Sequence, residues 1–245
     1  HSLFGLASTT VVGAEYNRIR FRLTNNWPYN DIGNDYIDPW QPAPGQFASA
    51  TPLQPRSFST THSAALFAEN RTQLTEQLSL VTGIRRDQNH IERDNLIDGS
   101  RTDRSLSGGN WRAGLVYALT PDLSLYGQYS TSEDGVENLV SLSSAQMNFD
   151  LTEARQTELG VKQRFLDGRG EWTLAAYHIV KKKLLVDDPV SHQPQQAGQQ
   201  TSDGLEATLE LALANQWQLS ANAALLRAKY DDFNESVAGV ATDRS

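Results

Sequence analysis

Hydrophobic and polar residues alternate along most of this chain. From Gly204 to Ala214, Leu205, Ala207, Leu209, Leu211 and Leu213 share one parity, with Glu206, Thr208, Glu210 and Ala212 between them. Past Asn215 and Gln216 the alternation resumes, with Trp217, Leu219, Ala221, Ala223 and Leu225 set against Gln218, Ser220 and Asn222. A period of two is the signature of strands with one apolar and one polar side. Segments of this kind predict strands over 3–23, 58–71, 77–92, 110–120, 123–132, 151–166, 171–186, 199–214 and 217–230. The first reads either as two strands or as one strand kinked at Gly13. No amphipathic helical pattern of useful length competes with them.

One hairpin does not say which side faces a core. In a soluble sandwich the apolar parity points inward; in a membrane barrel it meets lipid while the polar parity lines a wet lumen. The connections decide between these. "TQLTEQ" (72–77), "TPD" (120–122), "DGRG" (167–170) and Asn215-Gln216 are short, with Pro121 and Asp122 suited to a turn. The others, 24–57, 93–109, 133–150, 187–198 and the tail from 231, are long. Short and long alternate, so an up-and-down meander collects every tight turn at one end and every long loop at the other. Greek-key sandwiches mix loop lengths, whereas outer-membrane barrels have short turns on one side and long loops on the other. Several predicted strands also exceed the roughly 9–11 residues that cross a bilayer. Trp111, Trp172 and Trp217 each follow a connection, where an interfacial aromatic girdle would stand, while Tyr126, Tyr129, Phe165 and Tyr177 lie elsewhere along strands.

Composition adds boundaries to this picture. The 245 residues carry a net charge of −8, no cysteine and one methionine, and 38% are hydrophobic. The acidic balance argues against a nucleic-acid partner, and the absence of cysteine removes disulfide and thiolate chemistry. No run of about 18 apolar residues offers a transmembrane helix. The mean hydropathy of −0.50 is compatible with a barrel, because only alternate strand residues touch lipid. Residue 1 is His and no signal peptide precedes it, which predicts a processed end or a piece of a longer protein.

The hairpins are similar to those of a known family. Glu158-Leu159-Gly160, the Asp167-Gly168-Arg169 turn, Asp188-Pro189, Gly198 and Gly204-Leu205-Glu206 resemble, in order, the barrel of TonB-dependent siderophore receptors. The hairpin over 112–130, "RAGLVYALTPDLSLYGQYS", and the strand over 78–87, "LSLVTGIRRD", resemble the same family. The resemblance covers most of 58–233. It implies an all-β, antiparallel up-and-down meander of about nine strands, part of a large transmembrane barrel of about 22 strands. On that reading residues 1–245 are one partial barrel domain lacking the plug domain and the terminal strands, because an open sheet edge is not tolerated in lipid. The parent would sit in the bacterial outer membrane, bind a ferric siderophore and be energised by TonB through the absent plug. Its other neighbours would be lipid and lipopolysaccharide. Readings left open are a receptor for cobalamin, haem or a glycan, and a soluble β-rich carbohydrate-binding domain.

Long loops on a rigid wall are the expected ligand surface. The richest, 24–57, carries Trp27, Tyr29, Tyr36, Trp40 and Phe47, and rigid aromatics often dominate recognition. Arg85 and Arg86 are cations for an anionic ligand, for lipopolysaccharide or, as the plainer expectation, for nearby acids. Lys181, Lys182 and Lys183 are expected on solvated wall where a strand leaves the bilayer. His1, His62, His90, His178 and His192 share no metal-ligand spacing, and Asp187-Asp188 and Asp231-Asp232 lack the other oxygens of a calcium site. No nucleophile elbow or phosphate loop is present. The expectation is therefore a receptor and transporter rather than an enzyme, with no metal site and no covalently bound cofactor.

Overall fold

The structure, a computed structural model, describes residues 2–3, 5–24, 40, 54–133, 150–187, 194–214, 216–232, 234–237 and 240–243. The described residues form β-strands and their turns. A two-residue strand β1 (Ser2–Leu3) is followed by β2 (Leu6–Thr24), β3 (Pro55–Gln73), β4 (Leu78–Asn95), β5 (Arg101–Thr120) and β6 (Leu123–Glu133). Then come β7 (Glu153–Phe165), β8 (Gly170–Asp187), β9 (Pro194–Ala214) and β10 (Trp217–Asp232). These make one sheet whose spatial order equals the chain order, and every neighbouring pair is antiparallel. A separate hairpin pairs β11 (Asn234–Val237) with β12 (Val240–Asp243). The nine long strands β2–β10 are the predicted meander.

Four boundaries differ from the sequence-based expectation, one of them the connection expected over 187–198, into which β9 reaches back to Pro194. The connection expected over 93–109 is mostly strand: β4 runs to Asn95, β5 starts at Arg101, and only residues 96–100 turn. This stretch is polar on both parities, so alternation could not reveal it. Trp111 consequently sits mid-strand. The first segment breaks at Gly5, whose φ is 82°, and not at Gly13, which pairs in register opposite Phe67. The tail expected from 231 contains the β11–β12 hairpin.

The tight turns follow from their residues. The Thr120 hydroxyl accepts from the amides of Asp122 (3.3 Å) and Leu123 (3.1 Å) across Pro121. Thr75 does the same for Leu78 (3.0 Å) and Gln77 (3.3 Å). In the β7–β8 turn Leu166, Asp167 and Gly168 are all left-handed, with φ of 53°, 56° and 82°. Glycine takes that conformation at little steric cost; the two residues before it do so with strain.

Register assigns the two faces. Leu205, pairing with Ala176 and Leu225, shares a face with Leu174, Leu209, Leu213 and Leu219. Following the ladders across the sheet, this apolar face continues through Leu159, Leu125, Trp111, Leu115, Ile84, Leu66 and Val12. No second layer covers it among the described residues: Leu66 is 68%, Ile84 67% and Leu225 73% exposed. Leu205, Leu213 and Leu219 are exposed as well, with Leu209 half-covered. Fully buried apolar side chains are few, and a domain that folds around a dry centre would have many more.

Candidate functional site: the polar face and its loop end

The opposite face carries paired charge. On its β2–β5 side the Arg85 guanidinium bridges Glu15 (3.1 Å) and Asp87 (2.8 Å), and Arg112 reaches Glu69 (2.8 Å). These residues surround a shallow depression of about 280 Å³ floored by Gly83 and walled by Phe67, Glu69, Arg85, Asn110 and Arg112. Further round, the Glu158 carboxylate accepts from Tyr126 Oη (2.8 Å), Gln156 Nε2 (2.8 Å) and Gln128 Nε2 (3.2 Å). Lys162 meets Glu171 at 2.6 Å. Gln128 and Glu158 share one rung and Lys162 reaches Glu171 diagonally between adjacent strands, a stabilising cross-strand arrangement. Arg85–Glu15 and Arg112–Glu69, by contrast, each span an intervening strand.

Rings lie over glycines on this same face. Tyr126 faces Gly160 and Tyr177 faces Gly204 in register, and a Cβ on either glycine would collide with the ring. The aromatic is thereby laid flat along the wall, and its hydroxyl end can reach a neighbouring strand, as Tyr126 reaches Glu158. Sequence reading placed Tyr126 and Tyr177 among barrel aromatics in general; their polar-face position follows only from register.

At the loop end of β3 the polar face holds a column of hydroxyls. Ser57, Ser59 and Thr61 are buried, and the oxygens of all three and of Ser63 have no hydrogen-bond partner among the described residues. Across β4 they face Asn95, Arg93, Ile91 and Asn89. Buried unpartnered hydroxyls are uncommon and costly. No motif marks the column; a run of Ser and Thr at alternate positions is its only signature in the sequence.

Of the aromatic residues expected to bind ligand, Trp27, Tyr29, Tyr36 and Phe47 lie outside the described residues. Trp40 is described and is 91% exposed. Arg85 pairs with acids as expected. Arg86 points to the other face, where it donates to the Ser107 hydroxyl at 2.9 Å. Lys183 sits at a bulge with φ 57° and bonds Glu153 at 2.6 Å. That contact holds the Glu153 carboxyl below, and the Lys183 ammonium above, their ordinary pKa values. At the loop end of β10 the Asp231 carboxylate accepts from Thr201, Lys229 (2.9 Å) and Gln199 (3.1 Å), which lower its pKa to about 2. Its oxygens are thus taken by protein donors rather than arranged for calcium; Asp188 lies outside the described residues.

Folding also gathers three potential ligand atoms that sequence spacing did not. Those of His90, Glu92 and Asp103 lie within 4.8 Å of one another on the apolar-face side, at the loop end. Arg101 approaches Glu92 (3.5 Å) and Asp94 (3.7 Å) there, and Ser105 bonds His90 (3.1 Å). A guanidinium already supplies the positive charge this cluster would need.

Comparison with known proteins accounts for a one-layer sheet with these two faces. Residues 1–244 match the family described as TonB dependent receptor-like, beta-barrel. The chain belongs to this family. Among curated relatives, the metal-pseudopaline receptor CntO of Pseudomonas aeruginosa strain UCBPP-PA14 is 29% identical over 192 residues, 75% of this chain and 26% of that protein. The probable TonB-dependent siderophore receptor PiuA of Acinetobacter baumannii is 24% identical over 217 residues, 83% of this chain and 29% of that one. The crystal structure of the PiuA siderophore receptor superposes with a TM-score of 0.76 at 22% identity, covering 97% of this chain and 38% of that chain. The ferripyoverdine receptor of P. aeruginosa gives 0.72 at 20% identity, covering 94% and 31%. The chain therefore spans between a quarter and two-fifths of the length of these relatives.

Proposed function

We propose that this chain is wall in the barrel of a bacterial outer-membrane receptor that takes up a ferric siderophore with energy delivered through TonB. One observation carries the reading. The apolar parity runs across the whole sheet with no second layer on it among the described residues, while the other parity is charged, hydrogen-bonded and laid with tyrosines. Those are the demands of acyl chains on one side and a wet lumen on the other. Two relatives, PiuA and Fiu, are named siderophore receptors, which supports the cargo class. The tight-turn end then faces the periplasm and the loop end the cell exterior. Loop 24–57, with Trp27, Tyr29, Tyr36, Trp40 and Phe47, is the proposed contact surface for the ligand.

The complete receptor, expressed in iron-starved cells, should accumulate radioactive iron(III) from siderophore-containing medium, and uptake should vanish when TonB is deleted. Substituting Trp40→Ala with Tyr36→Ala should weaken ligand binding while leaving the folded barrel intact. Iron uptake that persists without TonB would refute the reading. A second reading, another metal complex as cargo, is favoured by the relative named as a metal-pseudopaline receptor. TonB-dependent uptake of radioactive zinc in place of iron would select it.

A further inference from the structure

Two histidines and two carboxylates from three neighbouring strands share one face at the loop end of the wall. Register sets His62 of β3 directly opposite His90 of β4, and sets Ser105 and Asp103 of β5 opposite His90 and Glu92. All are on the apolar-face parity, beyond Leu66 and Ala64, where the apolar band has given way to polar residues. Directly opposed residues on one face have Cβ atoms about 4.5–5.5 Å apart, so the two imidazoles are neighbours. The potential ligand atoms of His90, Glu92 and Asp103 lie within 4.8 Å of one another. All three strands are interior to the sheet.

Each ring is oriented through one nitrogen, which leaves the other for an ion. His62 Nδ1 bonds Tyr16 Oη at 2.8 Å. His90 Nδ1 bonds Ser105 Oγ at 3.1 Å, while its Nε2 stands 3.4 Å from Glu92 Oε1. An outer partner that fixes the ring from behind is the usual companion of a metal-ligating histidine. Zinc holds imidazole nitrogen and carboxylate oxygen at roughly 2.0–2.2 Å in a tetrahedron, which places two of its ligand atoms about 3.4 Å apart. The His90–Glu92 separation already has that length. Asp103 Oδ1, 3.6 Å from His90 Nδ1, offers the second carboxylate.

Charge points the same way. On β4 and β5 this end of the face carries three carboxylates, Glu92, Asp94 and Asp103, and one guanidinium. Arg101 reaches Asp94 at 3.7 Å and the other oxygen of Glu92, Oε2, at 3.5 Å, so Oε1 is left toward His90. Ion pairs this long and this exposed contribute little, and the guanidinium is a counter-charge that a divalent ion can displace. Calcium favours about six to eight oxygen ligands. Paired imidazoles with carboxylates suit zinc, nickel or copper instead.

We propose that His62, His90, Glu92 and Asp103 bind a zinc-class divalent ion that clamps β3, β4 and β5 together above the apolar band. Both histidines ligate through Nε2, with Tyr16 and Ser105 holding the rings from behind. The ion replaces Arg101 as the counter-charge and stiffens the β4–β5 hairpin that extends beyond it. The inference rests on register and side-chain geometry, and stands apart from the identity of the cargo.

The test uses the complete receptor without an affinity tag, stripped with chelator in non-ionic detergent and titrated calorimetrically with zinc chloride or calcium chloride. Zinc should bind and calcium should not compete with it; cobalt(II) in its place should give the intense visible bands of a tetrahedral site. His90→Gln should abolish binding, and His62→Gln should weaken it by on the order of a hundredfold. Tyr16→Phe, which only releases the His62 ring, should cost about tenfold. Arg101→Gln removes the competing cation and should tighten binding by about two- to fivefold. His178→Gln, at a histidine paired with Asp203 at 2.7 Å on the same face, should change nothing. Zinc should also slow amide exchange from Glu92 to Asp103 in the native receptor and not in His90→Gln. Zinc affinity unchanged in both His90→Gln and His62→Gln, an equal loss in His178→Gln, or calcium bound as tightly as zinc would overturn the proposal. Ferric siderophore uptake should persist in His90→Gln, so a failed ion site and a failed transport reading give different results.

Discussion

The two faces of this one sheet obey the same period of two and solve opposite problems. On the apolar face, side chains such as Leu205 and Leu225 touch few protein atoms; their free energy comes from the medium they are placed in. On the polar face, Glu15, Glu69, Glu158 and Glu171 each meet a specific donor on another strand. The difference teaches that insertion and register are specified separately. A one-residue slip would carry leucines into the lumen and glutamates into lipid, so each face guards the register of the other.

The sharpest way to break this comparison is to exchange the chemistry of neighbouring residues. Leu209→Arg, at mid-height of the apolar face, should cost about 2–4 kcal/mol in lipid, whereas Thr208→Arg, one residue away on the polar face, should cost little. Urea titrations of the folded barrel in vesicles compare the two directly. Equal costs would mean that the faces see the same medium.

The next effect lies within the polar face. Gly204→Val drives a side chain into the Tyr177 ring and should destabilise by roughly 1–3 kcal/mol, the usual range for overpacking. Adding Tyr177→Ala should recover part of that loss, because contacting residues are not additive. A double variant no better than the single would deny the ring its place over the glycine.

Breaking an exposed pair should matter least among the substitutions. Both Arg112 and Glu69 are close to half exposed, so Glu69→Gln should cost only about 0.2–1 kcal/mol and less at high salt. The smallest expected change is with pH, at the loop end. The Asp231 carboxyl is held down to about 2, chiefly by the Thr201 hydroxyl. A depressed pKa stabilises above the ordinary carboxylate range, and that contribution fades as pH falls toward about 2. Amide exchange at the outer ends of β9 and β10 should therefore be faster, relative to the apolar band, at pH 3 than at pH 6. Asp231→Asn should remove the difference.

Alternation made the nine long strands legible because burial in lipid, like burial in a core, imposes a period on side chains. It failed where both parities are polar. Arg93, Thr102 and Arg104 stand on one face of the outer β4–β5 hairpin, and Glu92, Asp94 and Asp103 on the other, so that wall read as a loop. The Ser57–Ser63 column and the His90–Glu92–Asp103 cluster were illegible for another reason. Their members come into relation through burial or through pairing with distant chain segments, and linear spacing records neither.

The chain by itself determined a meander, its tight turns and the parity of each strand, because turn chemistry and side-chain alternation are local properties of a β-backbone. Only the tertiary structure decided which parities of different strands share a face and which charges meet across it. Those depend on register, and register is set by pairing between strands, with dozens of residues separating many of the partners that meet.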